Sequence, residues 1–274
     1  MSVEHDVSAQ AAPIAASGSA IALMYHALDG DSMFGQDPHY TLSCQSFRRH
    51  LAHLRDSVGA AVDARHWLDN PAGARVVITF DDGHVSNHRL ALPLLLEFGM
   101  RADFFVNPAT VGCPGFVGWD DLREMAAAGM SIQSHGYDHQ YLTALSPQQL
   151  RSSLLRARLE IEDRLGAPVT LLAPPGGRMP SGLDVIAQSC GYVRIFGSRP
   201  GRLRTHDARS ILPRMAITAQ CDAGTLASWL DRRNAAVLRL QVRYRALAVA
   251  KRVLGNALYE WARARMLPGP GARA

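Results

Sequence analysis

The sequence predicts an α/β fold, a distorted (β/α) barrel of about seven strands with a C-terminal helical extension. Three observations predict it. Short β-branched or apolar runs alternate with helical patterns from residue 19 to about residue 220, as a parallel sheet requires. The number of such units favours a closed barrel over an open sheet. The unusual polar residues fall after the apolar runs, where the βα loops of such folds gather.

The elements follow in order. Residues 21–25 (IALMY) read as a buried strand, and Ser43 is placed to cap a helix carrying Phe47, Leu51 and Leu54 at helical spacing. Residues 75–80 (RVVITF) form the clearest strand. A helix over 86–98 follows, in which Pro93 marks a kink or a register change. Residues 102–106 are a strand, 119–128 a helix that stops at Gly129, and 130–134 a strand. Ser146 and Pro147 open a helix to Leu165, with proline in its favoured first turn. A strand over 169–172, a helix over 181–189 and weaker strands near 192–196 and 210–212 complete the body.

At 274 residues the chain suits one large domain or one domain plus an extension, and its 47% hydrophobic and 19% charged residues are ordinary for a globular protein. No run of eighteen apolar residues exists, so no membrane-spanning helix is expected. Residues 1–18 lack a basic start and an apolar run; they read as a disordered tail, which points to a cytoplasmic protein. Cys44, Cys113, Cys190 and Cys221 form no CxxC pair, which argues against a zinc ribbon and suits a reducing compartment.

The net charge of +5 is unevenly placed. Residues 232–274 hold ten Arg or Lys and one acid, Glu260, whereas residues 1–231 are acidic overall. A nucleic-acid enzyme would carry positive charge around its catalytic centre, so no nucleic-acid partner is expected. The chain therefore divides into a tail (1–18), a barrel (19–231), a basic amphipathic helical extension (232–267) and a second tail (268–274). In the extension Val237, Leu240, Tyr244, Leu247, Leu254, Leu258 and Trp261 fall on one stripe, with Arg232, Arg239 and Arg243 on another face. Such a helix either makes peripheral contact with an anionic membrane, here the inner membrane face, or packs against the barrel or another subunit. Both readings stand at this point.

Two segments carry chemistry. Thr79-Phe80-Asp81-Asp82-Gly83 sets two carboxylates side by side at a strand end, which is costly unless a cation or a shared proton relieves them. The bland alternative is an Asp capping the next helix. His135-Gly136-Tyr137-Asp138-His139 places two imidazoles four residues apart; on a helical turn they would share a face and grip one ion, with a carboxylate as third ligand. Two His and one carboxylate leave positions open for water and substrate, the catalytic arrangement.

TFDDG, SHGYDH and the intervening WDDLREMAAAGMSIQSH resemble the polysaccharide-deacetylase (NodB-homology) family, carbohydrate esterase family four, over residues 19–220 or so. The resemblance implies that Asp82, His135 and His139 bind a divalent metal, most often zinc, and that Asp81 is the general base. It implies hydrolysis of an N-acyl group on an amino sugar, within glycan or glycolipid biosynthesis. Metal activation of water, proton uptake by the base and an oxyanion stabilised by a backbone N–H make that chemistry coherent.

The sequence departs from the family in two places. The family's third motif resembles RPPYG, but this chain has Ala173-Pro174-Pro175-Gly176-Gly177-Arg178. Ala173 replaces the arginine that orients the base, leaving Arg178 or Arg214 to supply that charge. Gly176 stands at the backbone oxyanion donor, and its missing side chain is expected to widen the site. The late LxH motif is also absent, and His206 is not in that pattern. Met24-Tyr25-His26 instead resembles the permuted branch that includes the poly-N-acetylglucosamine deacetylases of biofilm systems, which implies His26 as general acid.

Phe116, Trp119 and Tyr137 could stack on sugar faces but are more simply packed; His84 and His88 lie near the site or on the next helix. Two rivals remain: an amidohydrolase acting on a small non-sugar amide, as in allantoinase-like relatives, and a glycan-binding pseudoenzyme.

Overall fold

The computed structural model describes residues 19–29, 37–71, 73, 75–204 and 210–247. The expected tails, His206 and the extension beyond residue 247 lie outside the described residues.

The strands are β1 (Ser19–Tyr25), β2 (Ala27–Asp29), β3 (Thr41–Ser43), β4 (Val76–Phe80), β5 (Asp103–Val106), β6 (Ser131–Ser134), β7 (Leu171–Leu172), β8 (Arg194–Phe196), β9 (Leu203–Arg204), β10 (Ile211–Leu212) and β11 (Met215–Ala216). The α-helices are α1 (Cys44–Val58), α2 (Ala64–Asp69), α3 (Leu92–Glu97), α4 (Trp119–Ala127), α5 (Pro147–Leu165), α6 (Leu183–Ser189) and α7 (Ala223–Leu230).

The main sheet runs in the order β10-β8-β7-β6-β5-β4-β1-β11, with every neighbouring pair parallel, and β9 adds antiparallel to β1. β10 and β11 sit at opposite ends of this order, yet only Pro213 and Arg214 separate them in the chain. The two free edges are thus drawn together and the eight strands form a nearly closed barrel, as the sequence predicts. β2 and β3 form a separate parallel pair that the sequence does not announce; each is three residues long.

Strand alternation sorts the core into two layers. Ile21, Leu23 and Tyr25 of β1 and Val76, Ile78 and Phe80 of β4 pack outward with Phe47, Leu51 and Leu54 of α1. Ala20, Ala22, Val77, Phe105, Phe196 and Leu212 belong to a second cluster in the barrel interior. Small alanines on β1 leave room there for the larger rings.

Helix ends follow local chemistry. Ser43 accepts a hydrogen bond from Ser46 N at the start of α1, and Ser146 and Gln149 form a reciprocal capping box at the start of α5. The helix expected over 86–98 opens as a π-turn, Asn87–Ala91, and becomes α-helical only at α3, whose first turn holds Pro93. Proline cannot donate to the carbonyl four residues back, and the widened turn absorbs the mismatch.

Residues 236–247 are helical. Val237 is buried, and Ala236 and Leu240 pack against the barrel core, whereas Tyr244 and Leu247 stay 41% and 43% exposed. The extension therefore begins as a helix docked on the barrel. Among the described residues no helix is long and apolar enough to cross a membrane.

Candidate metal centre and active site

The site lies where β1, β4, β5 and β6 end. On β4 the inward series Val77, Thr79 continues to Asp81, which is 3% exposed. Continued strand geometry would aim Asp82 away from Asp81. Instead Asp82 adopts φ 73 and Gly83 φ 70, which turns the chain across the barrel mouth. A left-handed conformation costs a non-glycine residue about 1–2 kcal/mol. Asp82 and His139 (φ 61) are the two non-glycine residues with positive φ among the described residues, and both are candidate ligands.

His135 Nε2 and His139 Nε2 approach the same Asp82 oxygen, at 3.1 and 3.2 Å. These three ligand atoms lie within 4.8 Å of one another. The helical turn expected for 135–139 is not formed. His135 follows β6 directly, residues 136–139 bend through a loop, and the positive φ of His139 brings its ring back beside His135, with centroids 5.3 Å apart. Asn107 Nδ2 donates to the carbonyl oxygens of His135 and Gly136 at 2.5 and 3.3 Å, which holds this loop.

A small divalent ion fits this donor set. The Asp82 oxygen stands 3.1 and 3.2 Å from the two imidazole nitrogens, close to the spacing of about 3.3 Å expected between ligands whose bonds to zinc are about 2.0–2.2 Å, and all three atoms lie within 4.8 Å of one another. Burial raises the Asp82 pKa, but hydrogen bonds from His135 and His139 outweigh it and hold the group well below the ordinary carboxylate range. The Asp82 contact raises the pKa of His139.

Asp81 does not share this cluster. Its two oxygens accept from Arg214 Nη1 and Nη2 at 2.6 and 2.7 Å. Arg214 is 1% exposed; it also donates from Nε to Gly197 O at 3.0 Å and from Nη1 to Thr79 Oγ1 at 3.1 Å. Burial pushes Asp81 upward in pKa, but the Arg214 charge pulls it below its ordinary value, so it is ionised. Arg178 is elsewhere, with its guanidinium 4.1 Å from the Tyr141 ring centroid.

A cavity of about 480 Å³ joins these groups; Asp81, Asp82, His135, His139, Arg214 and His26 all line it. His26 stacks on Tyr40 with ring centroids 4.6 Å apart, and its Nδ1 is buried without a hydrogen-bond partner among the described residues. Burial lowers its pKa, against the opposing pull of Asp81 and Asp82. Gly176 lines the wall at φ 60. The expected widening there is not found: a Cβ on Gly176 would stand 2.6 Å from Tyr141 Cε1, because the tyrosine ring fills the space. Glycine here admits Tyr141 to the wall.

Phe116 and His84 line the cavity, whereas His88 pairs with Glu124 at 2.8 Å outside it. Trp119 and Tyr137 are not on its wall and lie under the guanidinium groups of Arg164 and Arg156. Tyr40, Tyr141, Asn107 and Ser198 escape sequence reasoning, since nothing in their neighbourhoods forms a motif.

Residues 69–195 match the family described as polysaccharide deacetylase. YxkH of Bacillus subtilis, provisionally named a polysaccharide deacetylase, is 25% identical over 216 residues, covering 76% of this chain and 75% of that protein. The structure of IcaB from Ammonifex degensii superposes with a TM-score of 0.68 at 26% identity, covering 78% of this chain and 97% of that one. The Streptococcus pyogenes deacetylase PplD, solved with acetate, shares the fold with a TM-score of 0.71 at 21% identity, covering 79% and 100%. The matched segment, with TFDDG and HGYDH at the mouth of this barrel, is a polysaccharide-deacetylase domain.

Proposed function

We propose that the chain is a metal-dependent hydrolase that removes an N-acyl group, acetyl or formyl, from an amino sugar of a glycan or lipid-linked glycan. The observation that carries this reading is the division of labour between adjacent carboxylates: Asp82 converges with two imidazoles, while Asp81 is turned to Arg214 and kept ionised. A divalent cation, zinc in our reading, held by Asp82, His135 and His139 supplies Lewis-acid chemistry that polarises a carbonyl and acidifies water.

The chain's own residues do the rest. Asp81 takes the proton of the attacking water, and Arg214 fixes the carboxylate so that one orientation persists. The Gly176 backbone N–H faces the developing oxyanion, a role in which one donor is worth about 10²–10³ in rate. His26, whose burial makes its protonated form a stronger acid, hands a proton to the departing amine. Tyr40, Phe116 and Tyr141 give the cavity aromatic walls suited to a sugar ring.

The test is metal content together with acetate or formate release from N-acylated glycans and from non-sugar amides. Zinc at one equivalent, lost in Asp82→Ala and His135→Ala, with release from the glycans alone, supports the reading. Turnover of non-sugar amides alone, or full activity after chelation, rejects it.

A further inference from the structure

A second groove, about 1250 Å³, adjoins the catalytic cavity, and Gly177 and Ser198 line both. Arg199, Arg202, Arg204, Arg232 and Arg233 line the groove, and no Asp or Glu side chain does so among the described residues. None of the five makes an ion pair among the described residues. This concentration runs against the barrel's own composition, since residues 1–231 are acidic overall.

Two of the arginines are fixed by the fold. Arg202 donates from Nη2 to the carbonyl oxygens of Trp229 and Asp231 at 2.7 and 3.1 Å, and Arg232 donates to Ser19 O at 3.2 Å. Burial lowers the Arg202 pKa, and repulsion from Arg232 and Arg75 adds to it. Like charges gathered around one concavity are relieved by an anion, and guanidinium groups match phosphate oxygens in pairs. Exposed Ile211, Leu238 and Tyr244 line the same groove and offer an apolar flank.

Resting on the reading above, we propose that this groove binds a phosphate or pyrophosphate group joined to the acylated amino sugar, so that the anion docks here while the N-acyl group lies at Asp82. A bilayer surface would be met by a convex face; a cleft that shares a wall with the catalytic cavity receives a discrete group. The phosphate can belong to a nucleotide or to a polyprenyl carrier, and the substrates below separate the two.

The first measurement is calorimetric titration of the full chain with sodium pyrophosphate. Arg199→Gln/Arg204→Gln/Arg233→Gln removes three charges whose side chains hold no hydrogen bond among the described residues, and it should weaken binding at least tenfold. Arg49→Gln/Arg89→Gln, two exposed arginines elsewhere, should not. Binding that survives the triple substitution, including binding through a metal ion, overturns the proposal. So does sensitivity to the triple substitution seen with anionic vesicles and not with pyrophosphate.

The second measurement compares UDP-N-acetylglucosamine, undecaprenyl-diphosphate-N-acetylglucosamine and neutral tri-N-acetylchitotriose. For the phosphorylated substrate that is turned over, the triple variant should raise KM at least tenfold, with kcat and neutral-glycan turnover unchanged. An unchanged KM overturns the proposal. Arginine-dependent pyrophosphate binding without deacylation of any sugar keeps the groove and removes the hydrolase reading, so the two fail separately.

Discussion

Arg214 and Asp81 are joined by two hydrogen bonds although 133 residues separate them, and both side chains are buried. The pair links the turn that closes the barrel to the carboxylate at the end of β4.

Arg214→Lys should therefore lower kcat by about 10²-fold, since a point-charge ammonium cannot hold both carboxylate oxygens in one plane. Metal content should be unchanged. Arg214→Ala should in addition destabilise the fold by about 3–5 kcal/mol, the cost of leaving a buried carboxylate unpaired. Denaturant unfolding and steady-state kinetics check both; wild-type turnover in Arg214→Lys would remove the positioning role.

His26→Ala should reduce turnover by about 10²–10⁴-fold, the usual contribution of a proton-transfer group, while metal stoichiometry stays at the wild-type value. Loss of metal alongside activity would make His26 a structural support of the centre.

Gly176→Ala should lower activity sharply, because its methyl group meets the Tyr141 ring and its backbone must hold φ 60. Combining it with Tyr141→Ala removes the clash but not the backbone strain of about 1–2 kcal/mol, so activity should return only in part. Complete rescue would reduce the role of Gly176 to space; no rescue would assign it to the backbone alone.

Asp103 supplies a pH test away from the metal centre. It is fully buried on β5 and accepts the Ala64 N–H at 2.7 Å. Burial, then repulsion from Asp63, pushes its pKa up to about 8, with the Ala64 hydrogen bond and Arg214 pulling the other way. In the unfolded chain it titrates near about 3.9. Between those values the folded protein keeps a proton that the unfolded chain has lost, so its contribution to stability, complete in acid, declines as pH rises through this window. Asp103→Asn retains the acceptor for Ala64 and removes the titration. The wild type should lose stability relative to the variant from about pH 4 to about pH 8, and denaturant midpoints that run parallel across that range would contradict the assignment.

Much of this arrangement is legible in sequence because it is local. A hydrophobic run ending in Asp81-Asp82-Gly83 states its own strand end, and two histidines four residues apart state a candidate ligand pair. Helix α5 announces itself through Ser146 and Pro147. The remainder depends on contacts between distant segments. Arg214 lies in a turn of no recognisable pattern, and only the passage of the chain from β10 at one sheet edge to β11 at the other brings it to Asp81. Tyr141 reaches Gly176 from another loop, so the sequence suggests empty space where the fold has put a ring. The loop course of residues 136–139 was hidden for a different reason: a left-handed backbone at a histidine is costly, and spacing alone favours a helical turn. β2, β3, β9 and β11 are two or three residues long, too short for alternation to register.

The connection between β10 and β11 ties catalytic competence to closure of the barrel. A chain emerging from synthesis would already contain Asp82, His135 and His139 when its first 200 residues are complete, yet Asp81 would have no guanidinium to steer it until residues 211–216 had slotted between the two sheet edges. An ion could be captured early; a directed base exists only once the chain has crossed from one edge of the sheet to the other.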